Sequence, residues 1–183
     1  MATNDALIQL QATITKEARS AFDVLHSKAE SEQLYGFALY TDDSALGLDA
    51  AVNSIEAVQR KLTSPRADSF AAYWYTIEWA YEGGVVDFFA ASNELLAKLA
   101  PATNTESDYD QFRHNVYNSM IHAMQDLARS AYFEQFAKPA ATVLQIAITD
   151  SDDDEHYMNE SIRALNADTV YLDFIQQKEE AGH

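Results

Sequence analysis

Two long stretches of the chain repeat their apolar residues every three or four positions, which is the period of an α-helix with one apolar face. The first starts behind a predicted Asn4/Asp5 cap and is expected to end near Ala29; its apolar positions are Leu7, Leu10, Ile14, Ala18, Ala21, Phe22 and Leu25. The second follows Thr105 and Asp108, which have the spacing of a capping box, and its apolar positions are Phe112, Val116, Met120, Met124, Leu127 and Ala131. Helices of this kind need a second layer to cover, so we expect them to pack on a sheet.

Four segments have the composition of β-strands. Leu34 to Tyr40 and Leu46 to Val52 flank the turn-like sequence Thr41-Asp42-Asp43-Ser44, which predicts a hairpin. Tyr73 to Tyr81 is strongly aromatic and alternates between two sides, a period that favours a strand over a helix. Thr142 to Thr149 is β-branched and apolar, which predicts a buried central strand.

Shorter helices are predicted around these strands. Ser54 can cap a helix that runs to Leu62, Asp87 to Leu99 has a helical pattern, and the chain from His156 onward is helical. The resulting order is typical of an α+β fold, with one mainly antiparallel sheet of about four strands covered by long amphipathic helices. With 183 residues, 5 glycines and 3 prolines, the chain has the size and composition of a single globular domain over residues 1–183.

The composition excludes several classes of site. The chain has no cysteine, which rules out disulfides, thiolate catalysis and cysteine-ligated zinc. The segment from Met1 to Leu10 lacks the basic residues and apolar stretch of a secretion signal, and no run of about 18 apolar residues occurs anywhere. We therefore expect a soluble cytoplasmic protein that does not associate with a membrane.

Acidic residues dominate the charge of the chain. There are 29 Asp and Glu against 12 Lys and Arg, a formal net charge of -17, and five of the six residues from Asp150 to Glu155 are acidic. A field of this sign repels nucleic acid and anionic membranes and raises the encounter rate with a cationic partner. The acidic run is either a solvated turn at the start of the next helix or a docking surface for such a partner.

A calcium site is not expected in the acidic run. Asp150, Asp152 and Asp154 have the alternate spacing with which a calcium loop begins. The sixth loop position is Glu155 instead of glycine, and the twelfth is Ser161 instead of glutamate. We therefore predict no metal site.

Catalytic signatures are sparse. The sequence contains no nucleophile elbow, phosphate-binding loop, dinucleotide fingerprint or zincin helix, and we predict no cofactor. His114 and His122 are eight residues apart on the second long helix, a separation of about 12 Å that is too large for one metal ion. An enzyme of unrecognised type would need these histidines to converge with Glu78 in a cleft beside the aromatic segment. A scaffold or homodimer whose acidity only maintains solubility is a further alternative.

Several segments carry a resemblance to a known family. They are Tyr35-Gly36-Phe37-Ala38-Leu39-Tyr40-Thr41, Trp74 with Glu78-Trp79-Ala80-Tyr81, and Ile146-Ala147-Ile148-Thr149-Asp150 with Ser161-Ile162-Arg163-Ala164-Leu165-Asn166. They resemble the landmarks of DUF4303, a bacterial family of unknown function, over most of the chain. The resemblance implies no reaction, cofactor or catalytic residue. Families of this kind resemble in turn the small acidic immunity proteins encoded beside bacterial toxins.

The charge and this resemblance lead to one functional hypothesis. The chain is expected to be an immunity-type protein, not an enzyme, that binds and neutralises a cationic bacterial toxin domain such as a nuclease. Carboxylates would take the place of substrate phosphates, and buried aromatic residues would slow dissociation. The residues predicted to bind the partner are Asp150, Asp152, Asp153, Asp154, Glu155, Asp42, Asp43, Trp74 and Glu78.

Overall fold

The computed structural model describes residues 4–29, 31–83, 87–101, 105–135, 142–150 and 154–182. Over these ranges the chain forms seven α-helices, two short 3-10 turns and a four-stranded sheet. The strands are β1 (Leu34–Asp42), β2 (Leu48–Ser54), β3 (Tyr81–Glu82) and β4 (Val143–Thr149). The helices are α1 (Asn4–Lys28), α2 (Ile55–Leu62), α3 (Ser69–Trp74), α4 (Ala90–Leu99), α5 (Glu106–Arg129), α6 (Asp154–Leu165) and α7 (Asp168–Ala181), and the 3-10 turns are Thr76–Glu78 and Tyr132–Gln135.

The strands lie in the order β3-β2-β1-β4. β1 and β2 form the predicted antiparallel hairpin, β3 is antiparallel to β2, and β4 is parallel to β1. The fold is therefore α+β with a mainly antiparallel sheet, as the sequence predicts. β4 is buried over nearly its whole length, but it stands at the edge of the sheet, so the prediction of a central position is wrong. Its burial comes from helices and not from a strand on each side.

One face of the sheet carries large apolar residues and is covered by the two long helices. Phe37 and Leu39 of β1 and Ile146 of β4 belong to the same hydrophobic core as the apolar residues of α1 and α5. The predicted cap of α5 is present, because Asp108 N donates a hydrogen bond to Thr105 Oγ1 at 3.4 Å. The prediction of two long amphipathic helices over a sheet is confirmed.

The opposite face carries small residues, and an aromatic side chain lies directly on it. Trp79 packs against Ala38 of β1 and Ala51 of β2. It approaches Gly36 so closely that a Cβ there would lie 2.8 Å from Trp79 Cη2. Next to this contact, residues of α2, α3, α6 and α7 form a second core around Trp74.

The aromatic segment Tyr73 to Tyr81 is not a strand, contrary to the prediction. Helix α3 ends at Trp74, the 3-10 turn follows, and only the two residues of β3 pair with β2. Trp74, Thr76 and Trp79 are buried, whereas Ile77 is 77% exposed. The alternation in the sequence therefore does not correspond to the two faces of a strand: Trp74 packs in a core with Phe174 of α7, and Trp79 packs on small residues of β1 and β2.

Helix α6 and Asn166, which directly follows it, close the outer edge of β4 with side chains. Leu144 N donates to Asn166 Oδ1 at 2.8 Å, and Asn166 Nδ2 donates to Leu144 O at 2.7 Å. Two residues further along the strand, Ile146 N donates to Ser161 Oγ at 2.9 Å. These contacts satisfy backbone groups that an edge strand leaves unpaired.

Candidate functional site

Two acidic segments that are distant in sequence meet where β1 and β4 end. Because these strands are parallel neighbours, the chain leaves the sheet at the same edge after each of them. The register pairs Asp42 of β1 with Thr149 of β4, so Asp43 and Asp150 begin two loops that start side by side. We refer to Asp42, Asp43 and Asp150 as the acidic edge.

Helix α5 holds the loop that follows β1. Asp43 Oδ1 lies 2.8 Å from Arg113 Nη1, and Asp110 Oδ1 lies 2.5 Å from Arg113 Nη2. The hydrogen bond to Asp110 and the charge of Asp43 raise the pKa of Arg113, so the guanidinium stays cationic. Tyr109 OH donates to Ser44 O at 3.1 Å. The loop is thereby fixed, while the Asp43 side chain remains 49% exposed.

Asp42 and Asp150, the other two residues of the acidic edge, are exposed and lie in tight turns of the backbone. Asp42 Oδ1 accepts hydrogen bonds from Ser44 N at 2.9 Å and Ser44 Oγ at 2.5 Å. Ala45 and Asp150 adopt the left-handed conformation, with φ of 53° and 59°, which is uncommon for residues other than glycine. Ala45 is fully buried and anchors its loop in the core.

A pair of tyrosines adjoins the acidic edge. The rings of Tyr117 from α5 and Tyr157 from α6 have centroids 4.6 Å apart. Burial raises the pKa of the Tyr117 hydroxyl; Arg113 opposes this shift, and the charges of Asp42 and Asp43 add to it. The Tyr117 side chain is therefore neutral at physiological pH, and it lies close enough to the Asp42 and Asp43 carboxylates for their charges to affect it.

The remainder of the acidic run is only partly visible. Asp152 and Asp153 lie outside the described residues, and Asp154 begins α6 with its side chain likewise outside them. Glu155 is exposed and forms an ion pair with Lys178 of α7. The charge of Glu155 is thus partly compensated within the protein.

Trp74 was predicted to contact a partner, but it is a core residue. Its side chain is 1% exposed, and its ring centroid lies 5.1 Å from that of Phe174 in α7. Its Nε1 donates to Gln177 Oε1 at 3.0 Å. Because α7 covers it, Trp74 has no surface to present to a partner, and the prediction is wrong.

Glu78 and the two histidines do not form a common cleft. Glu78 lies in the 3-10 turn on the small-residue side of the sheet and pairs with Lys61 of α2. His114 and His122 are exposed on α5, which packs on the other face. The sheet therefore separates Glu78 from the two histidines with which the enzyme interpretation requires it to converge. Within the ranges given above, no group of three or more His, Asp or Glu side chains is arranged to hold a metal ion.

The residues of α5 that support the acidic edge are not among those predicted from the sequence. Tyr109, Arg113 and Tyr117 follow one another at intervals of four residues, so they form one stripe along the helix. This stripe adjoins the apolar one and contains a cation in a very acidic chain. The spacing was a usable signal, because residues four apart lie on the same face of a helix and Arg113 is the one basic residue on this stripe.

Comparison with known proteins gives one result. Residues 14–167 match the model of a domain of unknown function, DUF4303. No curated protein matches the chain, and no solved structure does so either. In the part of the chain that the structure describes, no helix has the length and apolar character needed to cross a bilayer.

Proposed function

The chain belongs to the DUF4303 family, and we propose that it is an immunity-type protein that binds a cationic bacterial toxin domain and neutralises it. A nuclease is one such domain. The observation that carries the proposal is the acidic edge, where β1 and β4 bring carboxylates from two sequence segments to one surface. The acidic run from Asp150 to Glu155 continues from the same point.

The electrostatics of the chain suit this role. A formal net charge of -17 accelerates association with a basic protein and disfavours nucleic acid as a competitor. A nuclease binds phosphates through lysine and arginine side chains. Clustered carboxylates can form charge-assisted hydrogen bonds with the same groups and so occupy the place of the substrate.

The rigidity of the loop after β1 also supports the proposal. Arg113 and Tyr109 fix this loop from α5, so binding does not have to order it. Leu46 in the same loop is 40% exposed. It adds an apolar contact beside the carboxylates, which is the combination that gives slow dissociation in protein interfaces.

The first experiment is recovery of the partner. Tagged protein is incubated with lysate of its own host at low salt, washed, and eluted with a salt gradient for mass spectrometry. We expect one stoichiometric basic protein that salt releases and whose toxic activity the purified chain inhibits. The proposal would be contradicted if no basic protein were retained, or if the purified chain did not inhibit the retained protein.

Two triple variants then locate the binding surface. Asp42→Asn/Asp43→Asn/Asp150→Asn removes three charges from the acidic edge. The control Asp5→Asn/Glu179→Gln/Glu180→Gln removes three exposed charges from α1 and α7 and so has the same net charge. We expect the first triple to bind the recovered partner about tenfold more weakly than the control, with a smaller salt dependence. Equal affinities would show that only net charge matters and that the acidic edge is not the interface.

A further inference from the structure

A cavity lies on the opposite face of the sheet from α5. It has a volume of about 200 Å³, opens to solvent, and is bordered by α2, α3, the end of β2 and the segment after the 3-10 turn. Its apolar lining consists of Ala57, Val58, Ala72, Trp79 and Ala80, and its polar lining consists of Asn53, Arg60, Lys61 and Glu78. None of these residues belongs to the acidic edge.

A buried amide contributes to the lining of this cavity. Asn53 is 1% exposed, and its Nδ2 donates to Tyr35 OH at 2.9 Å and to Ala72 O at 3.2 Å. These two acceptors fix the orientation of the amide, so Oδ1 must act as an acceptor. Ala80 N donates a long hydrogen bond of 3.4 Å to Asn53 Oδ1. An amide oxygen has two lone pairs, so Oδ1 has capacity for another donor.

The cavity also carries opposite charges side by side. Lys61 Nζ pairs with the Glu78 carboxylate and donates to Glu78 O at 2.7 Å. The side chains of Lys61 and Glu78 are 38% and 41% exposed, so a ligand can reach both charged groups. Arg60, which precedes Lys61 on α2, contributes a second cation and is held by Glu32.

We propose that this cavity binds a small zwitterion, namely a free α-amino acid with an apolar side chain. Its carboxylate pairs with Lys61, and its ammonium group donates to Glu78 and to Asn53 Oδ1. Its side chain packs in the apolar part of the cavity against Val58 and Trp79. The proposal does not rest on toxin binding at the acidic edge, because none of the residues that line the cavity belongs to that edge.

The net charge of the protein favours a zwitterion over the other classes of small ligand. A small anion would meet Lys61 and Arg60 but would have to approach through the field of a chain with net charge -17. A small cation would meet Glu78 but would also meet both basic side chains. A purely apolar molecule would leave the charged groups without a new partner. Only a ligand with both charges matches the whole lining.

The test uses L-leucine and two analogues that each lack one charged group. 4-Methylpentanoate lacks the ammonium group, and 3-methylbutylamine lacks the carboxylate. Binding to the intact chain is measured by calorimetry and by tryptophan fluorescence, since Trp79 lines the cavity. We expect leucine to bind at least about tenfold more tightly than either analogue. The proposal would be overturned if leucine did not bind at about 10 mM, which exceeds the dissociation constant of roughly 1 mM expected for a weak complex. Equal binding of all three compounds would overturn it too.

Variants of the charged lining give a second, independent result. Lys61→Met and Glu78→Gln should each weaken leucine binding about tenfold. The matched control is Lys98→Met with Glu94→Gln, which removes an exposed ion pair on α4, and it should leave binding unchanged. Circular dichroism checks that each variant is folded. Equal leucine binding in both sets of variants would show that the Lys61 and Glu78 charges do not form the site.

Discussion

Replacing Gly36 with alanine tests how closely Trp79 packs on the sheet. A Cβ at this position would lie 2.8 Å from Trp79 Cη2 and 3.1 Å from Cζ2, whereas carbon atoms are in optimal contact at about 3.5–4.0 Å. Trp79 is 4% exposed, and its Nε1 donates to Tyr73 O at 3.2 Å. The added methyl group must therefore displace the indole ring from a buried, hydrogen-bonded position.

The expected loss of stability follows from this overlap. Adding a methyl group to a packed core costs about 1–3 kcal/mol. Alanine also restricts the unfolded chain more than glycine does, which offsets about 0.4–1 kcal/mol. We therefore expect Gly36→Ala to lower the free energy of unfolding by about 1–2 kcal/mol. In a domain of this length the melting temperature should fall by roughly 2–8 °C.

The measurement is urea unfolding followed by circular dichroism and tryptophan fluorescence. The control is Gly47→Ala, because a Cβ at Gly47 would have no other atom within 4 Å, and its unfolding midpoint should stay the same or rise slightly. The double variant Gly36→Ala/Trp79→Leu should show a smaller effect of the alanine, since leucine does not reach as far. Equal midpoints for Gly36→Ala and Gly47→Ala would refute the argument.

Three further substitutions test other contacts in the fold. Hydrogen bonds from Arg60, Ser54 and Tyr81 lower the pKa of Glu32 from 4.5 to about 2; this stabilisation is complete above pH 4.5 and is lost as the pH falls toward 2. Glu32→Gln should therefore cost about 1–2 kcal/mol at pH 7 and flatten the acid side of the stability curve measured by urea unfolding; an unchanged curve would contradict this. Phe174→Ala removes a fully buried ring beside Trp74 and should cost about 3–5 kcal/mol with a shift in tryptophan emission, whereas an unchanged unfolding midpoint would show that α7 is not part of the core. Asn166→Ala leaves the backbone of Leu144 without its side-chain partner and should cost about 1–3 kcal/mol; hydrogen exchange at the Leu144 amide should accelerate, and a rate equal to that of the unaltered chain would refute this role.

Periodicity predicted the elements whose environment is uniform along their length. α1 and α5 each pack one face on the sheet over many turns, so their apolar residues keep the helical spacing. The hairpin of β1 and β2 was also predicted, because the turn between them is encoded locally. The prediction of a strand from Tyr73 to Tyr81 failed because the segment changes conformation within a few residues. The burial of Trp79 in this segment depends on the small residues of β1 and β2 beneath it, which local spacing does not reveal.

The candidate site was predictable only in part. The sequence identified Asp42, Asp43 and Asp150 as members of acidic segments, but their proximity depends on the parallel pairing of β1 and β4. That pairing joins strands about one hundred residues apart and leaves no local signal. Trp74 was misplaced for a related reason, since α7 follows it by nearly one hundred residues and its covering role cannot be inferred from spacing.

β4 is an edge strand, so it can pair with another copy of itself only where the contacts that close its outer side are lost. The segment Val143–Thr149 has the sequence VLQIAIT, which contains no charge, proline or glycine, and segments of this kind stack into fibrils when their edges are open. Local opening of α6 would release Ser161 and Asn166 and uncover this edge. The acidic run that starts at Asp150 places like charges directly beside the segment, where stacked copies would repel one another. We therefore expect variants that neutralise these carboxylates to aggregate more readily, so they must be shown to be monodisperse before weaker binding is attributed to lost contacts.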